Sequence, residues 1–359
     1  MTQFKRGLVG LGAASIVAVS LVGGAAAQSP SAPAGGLKVG VSWNNFNEPR
    51  WAAFDEPAIK AALAAGGAEY ISTDAASSAE QQVTDVENLI AQGANAIIIL
   101  AQDGTAILPA VQEAVDAGIP VIAYDRLIEN PGTLYLSFDN VGVGKIMAEQ
   151  IFALVPKGNY AIIKGNQADA NADFLRSGMD QVIGAAVASG DIVIPEACET
   201  YTDNWDPANA QTEMENCLTS TNNDIQAVLS ENDGMAGGVV AALEAQGMAG
   251  TVPVSGQDGD PGALNRVALG TQTVSVWKDS RALGKAAGEA AVALAKGTKL
   301  AELAGTGTFT SPGGNTLVSE ILAPTPVTQD NLQVVVDAGV ITQDALCQGV
   351  TAGSVAACP

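Results

Sequence analysis

The sequence predicts an α/β protein of two doubly wound parallel-sheet lobes joined by several chain segments. Three observations carry that expectation. Beyond residue 36, short β-rich runs alternate with Ala-rich stretches of helical spacing, the pattern of repeated βα units. Residues 96–100 (AIIIL) form an uninterrupted apolar run, as expected of a strand covered on both faces. The alternation then starts afresh near residue 140, and a chain of 359 residues has length for about two domains.

The elements follow in order. Residues 37–43 (LKVGVSW) read as a strand, 51–65 as a helix, 70–72 as a second strand and 79–91 as a helix whose Val83, Leu89 and Ile90 share helical spacing. The apolar run 96–100 is followed by a helix over 106–117, stopped at Gly118, and by a strand over 120–124. Right-handed crossovers between such strands give a parallel sheet with helices on both faces. The second cycle runs helix 143–155, strand 160–164, helix 172–188, strand 191–195, helix 207–219, strand 227–230, helix 234–247, strand 252–255, short helix 261–269 and strand 273–277. Residues 281–297 read as a helix returning to one of the lobes, 317–322 are strand-like, and the remainder is irregular.

Composition excludes several classes of function. There is no histidine, hence no Ser–His or Cys–His dyad, no His-ligated zinc and no imidazole switch. A net charge of −22 repels a nucleic-acid backbone, so no nucleic acid is expected as a partner. With 47% hydrophobic and only 15% charged residues the chain is nonetheless globular. Three motif-like strings fail on inspection. Gly142-Val143-Gly144-Lys145 resembles a phosphate-binding loop but has Asp139 where the first glycine belongs and Ile146 for Ser/Thr. The acidic start at Asp258 lacks the calcium loop's Gly at position six and Glu at position twelve, and the Gly7–Gly12 cluster lies in the expected signal peptide. No metal or cofactor is expected.

Residues 1–27 read as a signal peptide: Lys5 and Arg6, an apolar run from Gly7 to Gly24, then Ala25-Ala26-Ala27 as a cleavage site. A retained membrane anchor is the alternative. Residues 28–36 (QSPSAPAGG) read as a flexible leader. An exported chain fits the four cysteines, Cys198, Cys217, Cys347 and Cys358. Three pairings are possible, and the short loops favour 198–217 and 347–358.

In parallel sheets, ligands bind beyond the carboxyl ends of strands. The residues there are Asn44 to Trp51; Gln102-Asp103-Gly104; Asp125 and Arg126; Gln167, Asp169, Asn171 and Arg176; Asp203 to Trp205; Asn232 and Asp233; Gln257 and Asp258; and Lys278. Carboxylates accept a hydroxyl proton, Arg, Lys and Asn donate to a hydroxyl oxygen, and an indole covers an apolar C–H face, so this mixture suits a neutral polyol. The residues also admit other roles: Asp125–Arg126 as a surface pair, Trp51 as lobe packing, Lys278 as a plain strand-end cation, Trp43 and Phe46 as either packing or pocket wall. Trp205, in a polar loop, has less structural reason to be there and is favoured as a stacking surface.

Glu48-Pro49-Arg50-Trp51, Ala123-Tyr124-Asp125-Arg126, Ser137-Phe138-Asp139-Asn140, Ser255-Gly256-Gln257-Asp258 and Thr271-Gln272-Thr273 resemble the periplasmic D-xylose-binding proteins, in order and at similar spacing, over about residues 37–346. Trp205-Asp206-Pro207 and Lys278-Asp279-Ser280-Arg281 resemble the sister group of multiple-sugar-binding proteins, whereas Asn232 is of the xylose type. The resemblance implies the type I periplasmic-binding-protein fold and a periplasmic, monomeric, non-enzymatic binding protein. It would deliver a monosaccharide, D-xylose first, to the permease of an ABC importer by hinge closure. Alternatives are another aldose (glucose, galactose or arabinose) with signalling to a membrane sensor kinase or chemoreceptor, and, in a different class, a secreted glycosidase.

By the same resemblance the sugar contacts are Arg50, Asp125 and Arg126 from the N-terminal lobe, and Asp169, Asn171, Trp205, Asn232, Asp258 and Lys278 from the C-terminal lobe, with Arg176 weaker. The loop 165–171 departs from the family pattern, having Ala170 between Asp169 and Asn171, and so does the first loop with Trp43 and Phe46. The lobes implied are residues 37–139 plus 280–317 and residues 140–279 plus 318–346, with a tail at 347–359. Hinges fall near 138–141, 277–280 and 317–325.

Overall fold

A computed structural model describes residues 36–303 and 305–359; the expected signal peptide, and all of the leader but Gly36, lie outside the described residues. The first stretch contains β1 (Leu37–Trp43), α1 (Glu56–Gly66), β2 (Ala68–Asp74), α2 (Ala79–Ala91), β3 (Ala96–Ile99), α3 (Leu108–Asp116), β4 (Val121–Tyr124) and β5 (Thr133–Phe138). The second contains α4 (Asn140–Leu154), β6 (Gly158–Lys164), α5 (Ala170–Ser189), β7 (Ile192–Val193), β8 (Glu199–Tyr201), α6 (Pro207–Thr221), β9 (Ala227–Ser230), α7 (Asp233–Ala245), β10 (Ser255–Asp258), α8 (Pro261–Leu269) and β11 (Val274–Trp277). The last contains α9 (Ser280–Ala295), β12 (Gly307–Thr310), β13 (Thr316–Leu322), β14 (Thr325–Val327), α10 (Gln333–Asp337) and α11 (Gln343–Leu346). Among the described residues no helix is long and apolar enough to cross a membrane.

Two sheets result. The first has strand order β12-β13-β5-β4-β3-β1-β2 and is parallel except for the β12–β13 pair. Alternation along β3 explains its apolar run: Ala96 and Ile98 face one core with α1 and α9, while Ile97 and Ile99 face another with α2 and α3. In the second sheet, β6 pairs β7 and β8 on one side and β9 on the other; a bridge from Val228 to Val254 leads on to β10, β11 and the antiparallel β14. The chain passes between the sheets after β5, between β11 and α9, and between β13 and β14. Residues 318–322, expected in the C-terminal lobe, instead complete β13, which pairs with β5 in the first sheet. The strand is satisfied there on both faces: Leu317 enters the core that holds Ile97 and Ile99, while Val318 and Leu322 pack against the core that holds Ile98.

Other differences have local causes. β5 is buried at every position, so no alternation marks it. β8 is only three residues long, and β14 contains Pro326, which an edge strand tolerates. The strand expected over 252–255 begins at Ser255, with Val252 and Val254 forming isolated bridges. Helix starts, by contrast, have identifiable caps. The side chains of Ser78, Asp139, Asp169, Asp206, Asn232 and Asp279 accept hydrogen bonds from backbone N–H groups in the first turns of α2, α4, α5, α6, α7 and α9. Asp139, which spoiled the phosphate-loop string, is thus a helix cap.

Both short-loop disulfides are present, Cys198–Cys217 and Cys347–Cys358. The first ties the turn before β8 to α6, and the second staples the tail over α8, where Cys358 packs with Leu264 and Leu346. Replacing Cys198 and Cys217 together by alanine should lower stability by about 3 kcal/mol through the freed loop of the unfolded chain, read as a shift of the urea midpoint.

Candidate functional site

A cleft between the two sheets holds a small, partly open cavity lined by Glu48, Arg50, Trp51, Asp125, Arg126, Asp169, Asn171, Trp205, Asn232, Gln257, Asp258 and Lys278. All nine residues named from the sequence therefore converge on one place. Glu48, Gln257 and Trp51 join them. The first two stood in the quoted strings; Trp51, expected as lobe packing, packs on Trp43 and also faces the cavity. Trp43 itself is buried packing, donating from Nε1 to the Tyr70 hydroxyl at 3.0 Å, and neither it nor the exposed Phe46 reaches the cavity. Arg176 lies outside the lining and pairs with Glu199 at 2.8 Å.

Each side chain is placed by a strand end or a helix start. From the first sheet, Glu48 and Arg50 follow β1, ahead of a π-helical turn at Trp51–Asp55, a backbone irregularity frequent at functional sites. Asp125 and Arg126 follow β4. From the second sheet, Asp169 and Asn232 cap α5 and α7, Asn171 lies in the first turn of α5, Asp258 ends β10 and Lys278 follows β11. Asn232 accepts at Oδ1 from Met235 N–H (2.8 Å), which leaves its amide N–H groups for the cavity. Three of the lining residues hold left-handed backbone, Asp125 (φ 62°), Trp205 (φ 55°) and Asp258 (φ 102°), conformations that persist only where surrounding contacts enforce them.

The charges form two linked groups. Arg50 makes a two-pronged pair with Asp55 (Nε–Oδ2 3.1 Å, Nη2–Oδ1 2.9 Å) and meets Asp125 Oδ2 at 3.2 Å and, from the other sheet, Asp258 Oδ1 at 3.1 Å. Lys278 reaches the same Asp258 oxygen at 3.0 Å. In the second group, Arg126 pairs with Glu48 (3.0 Å) and, across the cleft, with Asp169 (3.0 Å), while donating to Ala101 O at 3.1 Å. The indoles belong to this group: Trp51 Nε1 donates to Glu48 at 2.7 Å and Trp205 Nε1 to Asp169 at 3.2 Å. Further bridges between the sides run from Asn171 Nδ2 to Asp125 O (3.2 Å) and from Gln102 Nε2 to Asn204 Oδ1 (2.8 Å).

Burial raises the carboxyls of Glu48 and Asp169 above their usual range, against the pull of Arg126. Burial acts on Asp125 too, but Arg50, Lys278 and Arg126 together outweigh it and hold that carboxyl below the usual range. Two buried acceptors of the lining, Asp125 Oδ2, which is charge-paired with Arg50 at 3.2 Å, and Gln257 Oε1, have no hydrogen-bond partner among the described residues. Among those residues no cluster of carboxylates or cysteines is placed to hold a metal ion. The arrangement can bind a neutral, hydroxyl-rich molecule, because each hydroxyl both donates and accepts and the lining alternates acceptors with donors.

The chain is similar to known proteins of one family. The family model described as a periplasmic binding protein domain matches residues 39–299. The D-xylose-binding periplasmic protein of Escherichia coli is 35% identical over 298 residues, covering 83% of this chain and 88% of that protein. The multiple sugar-binding periplasmic receptor ChvE of Rhizobium radiobacter is 33% identical, over 92% of this chain and 98% of its own length. An ABC transporter solute-binding protein from Clostridium phytofermentans, solved with bound β-D-glucose, superposes with a TM-score of 0.77 at 29% identity, covering 86% of this chain and 99% of that one.

Proposed function

The chain belongs to the periplasmic binding protein family, and from that premise we propose that it captures a neutral monosaccharide, D-xylose first, and delivers it to the permease of an ABC importer. It is a binding protein and not an enzyme, as its relatives are. One observation carries the sugar reading: four carboxylates and three cations alternate around a single cavity beside two indoles, contributed from both sheets. Sugar hydroxyls are served by that alternation, and a ring's C–H face by Trp51 and Trp205.

Capture follows by lobe closure, with residues 37–139 and 280–322 moving as one lobe and residues 140–277 and 325–346 as the other. The chain segments between the sheets act as hinges. In the closed form Arg50–Asp258 and Arg126–Asp169 bridge the lobes, and the sugar's hydroxyls complete the unpartnered acceptors. We read the working form as a monomer that presents both lobes to the permease.

The test is calorimetric titration of the mature protein with D-xylose, L-arabinose, D-glucose and D-galactose, with tryptophan fluorescence in parallel. Saturable one-site binding, tightest for D-xylose, supports the proposal; no heat with any of the four overturns it. Tightest binding of D-glucose would support the second reading, that of an aldose receptor resembling ChvE or the glucose-bound neighbour.

Gly165 offers a sharper check on Trp205. A Cβ there would lie 2.1 Å from the indole, so alanine must push the ring off its seat. Gly165→Ala is expected to weaken sugar binding by about tenfold or more while leaving circular dichroism unchanged, since lost stacking is worth about 1 kcal/mol or more.

A further inference from the structure

Asp258 holds φ 102° with its carboxylate between Arg50 and Lys278. What enforces that backbone lies behind it. Asp233, in the first turn of α7, is buried and does not line the cavity. Its Oδ2 accepts from the N–H of Gly259 (3.0 Å), the N–H of Asp260 (3.0 Å) and the Ser275 hydroxyl (2.6 Å), and its Oδ1 accepts from Gln272 Nε2 (2.7 Å). The two N–H groups are those of the residues directly after Asp258. The carboxylate also lies flat on β10: a Cβ on Gly256 would fall 2.2 Å from Asp233 Oδ1 and 2.6 Å from Gln272 Nε2.

We propose that Asp233 is a positioning residue for the sugar site, fixing the turn after β10 so that Asp258 is held in its left-handed conformation against Arg50 and Lys278. The inference rests on the sugar reading above, and it goes beyond it by assigning a function to a group that touches no ligand. Four donors at one carboxylate are more than burial of a helix-start residue requires, and two of them act on the backbone whose conformation is otherwise unfavourable. Burial raises the Asp233 carboxyl to about 7, against the hydrogen bonds from Ser275 and Gln272. Arg266 of α8 donates to the Asp233 carbonyl and, through Nε, orients Gln272 (3.0 Å). The neighbouring Asp260 has an Oδ1 without a hydrogen-bond partner among the described residues, and burial with the charges of Asp233 and Asp258 raises its carboxyl well above the usual range.

The test is a double-mutant cycle with D-xylose, using Asp233→Ala, Asp233→Asn, Asp258→Ala and the two combined variants, with melting temperature followed alongside. Asp233→Ala should weaken binding by about tenfold or more in the native background and by no more than about threefold once Asp258 is alanine. Asp233→Asn keeps one oxygen for the Gly259 and Asp260 N–H groups and should restore most of the affinity. Equal losses in both backgrounds, or a lowered melting temperature with unchanged affinity, would overturn the proposal. Absence of D-xylose binding by the unmodified protein counts against the sugar reading alone. The positioning role is then decided by the crystal structure of Asp233→Asn and Asp233→Ala: Asp258 leaving positive φ in the alanine variant supports it, and Asp258 unmoved in both refutes it.

Discussion

Replacing Asp258 by alanine should cost about 3 kcal/mol of sugar binding, roughly a hundredfold in affinity, the usual consequence of truncating one partner of a buried, hydrogen-bonded charge pair. The loss has two sources. The ligand loses a carboxylate acceptor, and Lys278, buried at 3% exposure, loses the only carboxylate that pairs with it among the described residues. An uncompensated ammonium in that position either draws in water or reorients, and both oppose closure of the lobes. Arg50 suffers less, since Asp55 and Asp125 still hold it. Asp258→Asn should therefore fall between the native protein and the alanine variant, because its amide oxygen still accepts from Lys278. Calorimetry on the three proteins checks this order, and equal affinity in all three would remove Asp258 from the site.

The largest effect on stability is expected from Arg50→Met. Arg50 is the shared counter-ion of Asp55, Asp125 and Asp258, all buried, and its own proton is held more tightly than usual: burial opposes the charge, but the three carboxylates outweigh it. Without the guanidinium, Asp55 keeps the Tyr124 hydroxyl as its principal partner. A loss of about 3–5 kcal/mol in unfolding free energy is expected, measured by urea denaturation near neutral pH. Removing Asp55 as well should recover part of it, because the uncompensated buried carboxylate, and not the absent pair, carries most of the cost. If the single variant is as stable as the native protein, the network is not a structural element and Arg50 serves the ligand alone.

Much of this was legible in the sequence, and the reasons are physical. Strands and helices of the two cycles announce themselves by period and by capping residues, and the carboxyl-end rule points to the cavity because parallel strands all end on the same side. What escaped is of two kinds. β5, β8 and β14 lack a pattern because they are buried on both faces, very short or on an edge. Asp55, Tyr124 and Asp233 escaped as supports because a buried polar network draws on positions that no local pattern joins: Asp55 and Tyr124 meet across 69 residues, and Asp233 and Ser275 across 42. Gln257 stood among the strand-end residues and in a quoted string, yet not among the nine expected contacts. Glu48 is simpler, a carboxylate two residues from Arg50 in a loop that already looked functional.

The double duty of Asp169 and Asn232, each spending an oxygen on a helix cap while facing the cavity, limits how the pocket can be re-specified. A substitution at either position alters ligand contacts and helix stability at once, so most replacements carry a folding penalty of about 1 kcal/mol before any new specificity is gained. Gln257 bears no such second obligation, having a free carbonyl oxygen and no cap to maintain. Divergence toward other sugars, in nature or by directed evolution, should therefore accumulate first at Gln257 and last at the capping pair.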